Sequence, residues 1–89
     1  MKLEKILSLK NKMGLHARPA SQIAKLLAKT SSFVYFTCNS KTVDAKQVMN
    51  LLLLEANLSS KIKVSVEGED AKAVLNELTQ IFEDRFGEN

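Results

Sequence analysis

The chain has a single cysteine, Cys38, so no disulfide can form within it. That excludes a disulfide-stapled scaffold and fits a reducing compartment. With one histidine and one cysteine, no cluster has metal-ligand spacing, and neither a metal nor a cofactor is expected. The longest unbroken aliphatic stretch, Leu51 to Leu54, is far shorter than the ~20 residues of a membrane-spanning helix. The opening MKLEKILSLK mixes apolar residues with charges, unlike the continuous apolar run of a signal peptide. The expectation is a cytoplasmic protein with no membrane partner. Internal repeats, low-complexity tracts and linkers are also missing. Glycine and proline are scarce, at three and one, and Gly14 and Pro19 share one short segment. That segment is the most unusual of the chain.

What is present is ordinary for a globular domain. The 89 residues suffice for one compact domain, 1–89, and not for two. Hydrophobic residues make up 45% and charged residues 26%. The net charge of +3 is mild. It suits a weakly acidic partner surface and does not indicate nucleic acid. The strand-like FVYFTC carries aromatics, but without the Lys/Arg-rich pattern of an RNA-binding sheet, so no nucleic-acid partner is expected. A chain this small rarely encloses a deep pocket, so its chemistry is expected on a surface.

Hydrophobic periodicity gives the elements. Residues 2–10 alternate loosely, with Leu3, Leu7 and Leu9 on one face, and read as a strand. In residues 17–29, Ala20, Ile23, Ala24, Leu27 and Ala28 recur at helical spacing. Residues 33–38 are aromatic and β-branched; Asn39-Ser40 makes a two-residue turn and 41–45 the returning strand. Residues 47–55 predict a short helix and 61–67 a cleanly alternating strand. Residues 70–86 predict a second long helix, with Ala71, Val74, Leu75, Leu78, Phe82 and Phe86 on one face and Asp70 as cap. The order β-α-β-β-α-β-α predicts an α+β two-layer sandwich: a four-stranded antiparallel sheet with one open face.

Three features converge in Gly14-Leu15-His16-Ala17-Arg18-Pro19-Ala20. Pro19 belongs in the first turn of a helix, which places His16 at that helix's N-terminus. Unpaired backbone N–H groups there bind anions, and those of Ala17 and Arg18 are suited to phosphate. His16 itself is a competent phosphoryl acceptor, because a neutral imidazole nitrogen attacks phosphorus without first losing a proton. The resulting phosphoramidate readily gives the group up again. Arg18 can bridge phosphate oxygens. The helix end and Arg18 both disfavour a protonated ring and keep it nucleophilic. A simple cap or surface residue is the other reading of a lone histidine at a helix start.

GLHARPA, with this element order in under a hundred residues, resembles the HPr family, the histidine-containing phosphocarriers of the bacterial sugar phosphotransferase system. The later NSKTVDAK and VEGEDA extend the similarity over nearly the whole chain. The resemblance implies an open-faced sandwich with three helices on one side of the sheet. It implies a carrier rather than an enzyme. His16 would be phosphorylated on Nδ1 by enzyme I and would donate to enzyme IIA proteins. Arg18 would stabilise the phosphate, and Ala17 and Arg18 would supply backbone donors. The position of the family's regulatory serine holds Gln47, which has no hydroxyl to phosphorylate, so no regulatory serine is expected. The run LLLLEA resembles NPr, the regulatory paralogue of the nitrogen-related branch, and that alternative stays open here.

The apolar residues 47–55 cannot all face one core. Leu51 and Leu54 are expected inside, with Val48, Met49, Leu52 and Leu53 at least partly exposed as a docking patch. Ser21 and Lys25, one turn apart on the first helix, would complete it. A carrier that presents one face to several partners is expected to be a monomer.

Overall fold

The computed structural model describes residues 1–88. Its elements are β1 (Lys2–Ser8), α1 (Ala17–Leu27), β2 (Phe33–Cys38), β3 (Lys41–Asp44), α2 (Val48–Leu52), β4 (Lys61–Glu67) and α3 (Ala71–Glu83), then a 3-10 turn, Arg85–Gly87. The strands form one antiparallel sheet in the order β1-β4-β2-β3. Three helices cover one face, which is the α+β open-faced sandwich read from the sequence.

The sheet is built from side-chain alternation. In β2 and β4 every second residue is buried: Val34, Phe36 and Cys38, and Ile62, Val64 and Val66. The register sets Phe36 beside Val64 and Val34 beside Val66, so these residues meet on the helix-covered face. A slip of one residue would turn the whole set to water. Their neighbours Phe33 and Tyr35 point to the open face and stay exposed. Phe82 of α3 meets Phe36 edge-on at a centroid distance of 6.1 Å and Phe86 at 5.0 Å.

The Asn39-Ser40 turn has positive φ at both residues, 52° and 64°, the hairpin turn that matches strand twist. Several boundaries differ from the sequence expectation, and α1 and β3 stop at Leu27 and Asp44, short of residues 29 and 45. β1 ends at Ser8, although Leu9 stays buried and exchanges backbone hydrogen bonds with Ser59 and Ser60. α2 is only five residues long. Beyond Leu52 the chain tightens, Leu54 N–H to Leu51 O and Glu55 N–H to Leu52 O, and Glu55 turns left-handed at φ 52°. Tightening in this way buries Leu51, Leu54 and Ala56 together. α3 ends at Glu83, and Phe86 reaches the core from a left-handed turn rather than a helix.

Asp70 precedes α3, but its side chain caps nothing. Its carboxylate accepts hydrogen bonds from the hydroxyls of Ser32 and Thr30, tying the α1–β2 connection to α3. The Ser32 hydroxyl first, and the Thr30 hydroxyl second, hold Asp70 below the ordinary aspartate value of 3.8. A carboxylate with a lowered folded-state pKa contributes stability above its unfolded value, and the contribution fades as pH falls through the folded value. Asp70→Asn should therefore flatten the acid limb of the stability profile below about pH 4. Denaturant midpoints measured from pH 2 to 7 check this; parallel curves for the two proteins would contradict it.

Candidate functional site

The loop before α1 is pinned from both sides. Leu15 is buried, and its N–H donates to Ala56 O at 2.9 Å. Gly14 has φ +65°, and a Cβ there would stand 2.5 Å from Ala56 O. Only glycine fits this approach and this backbone conformation together. Buried Asn11 donates from Nδ2 to Gly14 O at 2.7 Å, closing the loop.

The chain then enters α1. His16 is the N-cap residue, extended at φ −88° and ψ −171°, and its carbonyl accepts from Ala20 N–H at 3.0 Å. Ala17, Arg18 and Pro19 are thus the first three helical residues. Pro19 has no N–H, and it is buried. The N–H groups of Ala17 and Arg18 have no acceptor within the helix and stand at its positive end. The His16 side chain is 28% exposed, so the ring is half-buried.

Sequence reasoning missed Glu88. Its carboxylate lies 2.8 and 3.0 Å from His16 Nε2. Asn11 Nδ2 donates to the same carboxylate at 2.9 Å, and Arg18 Nη1 lies 3.7 Å away. The hydrogen bond from His16, then that from Asn11, hold Glu88 below the ordinary glutamate value of 4.5. Beside the helix end and Arg18, the two groups the sequence places next to the ring, the fold thus adds a carboxylate at Nε2. No local pattern marks Glu88, since the fold brings it to His16 from 72 residues away.

Arg18 is 61% exposed and can swing toward an anion on the imidazole. Of the other residues singled out in the sequence, Ser21 and Lys25 are exposed on α1. Met49 and Leu53 are exposed, and Val48 and Leu52 are half-buried, while Leu51 and Leu54 are fully inside. Gln47 is the exposed residue before α2. Lys25 also lines a groove between α1 and α3, with Gln22, Leu26, Lys29, Glu77 and Ile81, which does not include His16. Among the described residues, no group of three or more His, Cys, Asp or Glu could hold a metal, and no helix is long and apolar enough to cross a membrane.

The arrangement is a histidine at a helix N-terminus with free amides beside it. The family model described as "PTS HPr component phosphorylation site" matches residues 3–84. The chain belongs to the HPr family. It is similar to the phosphocarrier protein HPr of Xylella fastidiosa (strain Temecula1), with 34% identity over 87 residues and 98% of each chain covered. The phosphocarrier protein HPr of Chlamydia muridarum is 37% identical over 86 residues, which are 97% of this chain and 83% of that one. Among solved structures, HPr-C-His from Thermoanaerobacter tengcongensis superposes with a TM-score of 0.92 at 34% identity, covering 98% of both chains. The protein is accordingly a phosphocarrier of the phosphotransferase system and not a catalyst. These relatives carry the HPr name, and the nitrogen-branch alternative is not favoured.

Proposed function

We propose that His16 Nδ1 receives a phosphoryl group from phosphorylated enzyme I and passes it to enzyme IIA proteins, in the cytoplasm and as a monomer. The observation that carries this reading is His16 as the N-cap residue of α1, followed by the Ala17 and Arg18 amides that no helix carbonyl satisfies. In the neutral imidazole one nitrogen is protonated and the other carries a lone pair, and this reading assigns the lone pair to Nδ1. That lone pair attacks phosphorus as the donor's bond to the phosphoryl group breaks. The amides of Ala17 and Arg18 then hold the phosphoryl oxygens, and the Arg18 guanidinium covers their charge. Reversal of the same steps on a partner's acceptor nitrogen delivers the group. Ser21, Lys25, Val48, Met49, Leu52 and Leu53 are the surface that would meet both partners, with Lys25 facing acidic residues. Gln47 offers no serine for regulation of that surface.

Incubation with enzyme I and phosphoenolpyruvate tests the reading. The expected product is one phosphoryl mass increment on His16, labile in acid and stable in base. An acid-stable increment, or one on a serine, contradicts it. Arg18→Ala should slow transfer from phosphorylated enzyme I about tenfold, the worth of one charged hydrogen bond. Its melting temperature should not move, because the side chain is exposed. Stopped reactions resolved by mass spectrometry measure the rate, and an unchanged rate removes this role for Arg18.

A further inference from the structure

The chain beyond α3 is built to hold one carboxylate. Arg85 and Phe86 both lie at φ +55°, in the left-handed region. A residue with a Cβ is strained there, because the Cβ crowds the following carbonyl. Three contacts hold the turn in place. Phe86 is buried against Phe82, Gln22 Nε2 donates to Phe86 O at 3.0 Å, and Glu88 N–H donates to Arg85 O at 2.8 Å.

Asn11 completes the arrangement. Its Nδ2 faces two acceptors, Gly14 O and Glu88 Oε1, which fixes the orientation of the amide. Its buried Oδ1 then finds no hydrogen-bond donor among the described residues. A buried acceptor without a donor is unfavourable, because it has lost its water and gained no partner. The fold therefore gives up hydrogen bonding at Asn11 and backbone freedom at Arg85 and Phe86, and both point the Glu88 carboxylate at His16 Nε2.

We infer that Glu88 is a positioning residue that fixes the tautomer of His16, holding the proton on Nε2 so that Nδ1 presents its lone pair beside the Ala17 and Arg18 amides. Glu88 touches the far nitrogen and not the reacting one. Its consequence for transfer rests on the reading of His16 as acceptor; its effect on the ring does not. In the Nδ1–H tautomer the lone pair sits on Nε2, away from the helix end, and that fraction of molecules cannot accept at Nδ1.

Two variants at position 88 test the inference, with the ring nitrogens as readout. The chain has one histidine, so 15N labelling of histidine gives two ring signals. Long-range 1H–15N spectra of the neutral ring show which nitrogen is protonated. The native protein should show Nε2 protonated and Nδ1 bare. Glu88→Ala should move both nitrogens toward intermediate shifts as the tautomers mix. Glu88→Gln should move them further, because Asn11 holds the amide oxygen and turns the NH2 toward Nε2. Acceptance from phosphorylated enzyme I should fall with the competent fraction, about two- to fivefold in Glu88→Ala and about tenfold in Glu88→Gln. Amide spectra of both variants report whether the fold is intact.

Unchanged ring shifts in Glu88→Ala overturn the inference, as does a Glu88→Gln protein indistinguishable from the native one. Changed ring shifts with unchanged transfer rates overturn the link to nucleophilicity. If the native chain takes no phosphoryl group on His16, the carrier reading fails while the ring-nitrogen result stands.

Discussion

Replacing His16 with Gln should abolish phosphoryl acceptance and leave the fold in place. The imidazole is the only phosphoryl-accepting nitrogen of its kind in the chain, because the sequence holds one histidine. A glutamine amide cannot replace it, since its nitrogen lone pair is delocalised into the carbonyl. The ring's polar contact is to the part-buried Glu88 carboxylate, to which a glutamine amide can still donate, so stability should shift by about 1 kcal/mol. Gly14, Asn11 and Pro19, which shape the loop and the helix start, are untouched. Mass spectrometry after incubation with enzyme I and phosphoenolpyruvate should detect no acid-labile increment in His16→Gln. Thermal melts should nearly superimpose on the native curve. Residual acid-labile phosphorylation of the variant would contradict the assignment.

Phe82→Ala should be the most destabilising single change considered. Phe82 is 1% exposed and joins the sheet, through Phe36, to the segment beyond α3, through Phe86. Truncating a buried phenylalanine to alanine loses its transfer free energy and leaves a cavity, together about 3–5 kcal/mol. For a domain of this size that lowers the melting temperature by roughly 15–30 °C. The substitution also removes the wall against which Phe86 packs, and with it part of the support for Glu88. Phosphoryl acceptance should therefore fall even at temperatures where the variant remains folded. A variant that melts within a few degrees of the native protein would show that this aromatic row does not carry the core.

The fold is largely legible in the chain because each layer follows a local period. β4 alternates without interruption through Ile62, Val64 and Val66, and a two-residue period with one buried face has one solution. The face of α1 that buries Ala20, Ile23 and Leu27 is equally plain. The C-terminal ends of the helices are not legible, for a physical reason. A hydrophobic pattern records which side chains are buried, not which backbone conformation buries them. Phe86 falls four residues after Phe82 and so continues the helical period, yet it arrives in the core from a left-handed turn. The same holds for Leu54, buried beyond the end of a five-residue helix.

Half of the candidate site is legible in the same way. Gly14, His16, Arg18 and Pro19 lie within six residues, and each residue type has a local reason to be there. The other half depends on tertiary structure. Asn11 reads as an ordinary loop residue until its amide is seen to bridge Gly14 O and Glu88. Gln22 reads as a polar helix position until it is found holding the carbonyl of Phe86. Glu88 follows a helix end with no pattern of its own, and only the packing of α3 across the sheet brings it to the imidazole. Asp70 gives the reverse lesson: its position before α3 predicts a cap, and the nearby Ser32 and Thr30 hydroxyls take its carboxylate instead.

The most direct test is an NMR spectrum of the 15N-labelled chain phosphorylated by enzyme I and phosphoenolpyruvate. Phosphorus should couple to Nδ1 of His16, and the amide protons of Ala17 and Arg18 should shift markedly as they bind phosphoryl oxygens. Coupling to Nε2, or Ala17 and Arg18 amides that stay where they were, would contradict a helix N-terminus that receives the phosphoryl group.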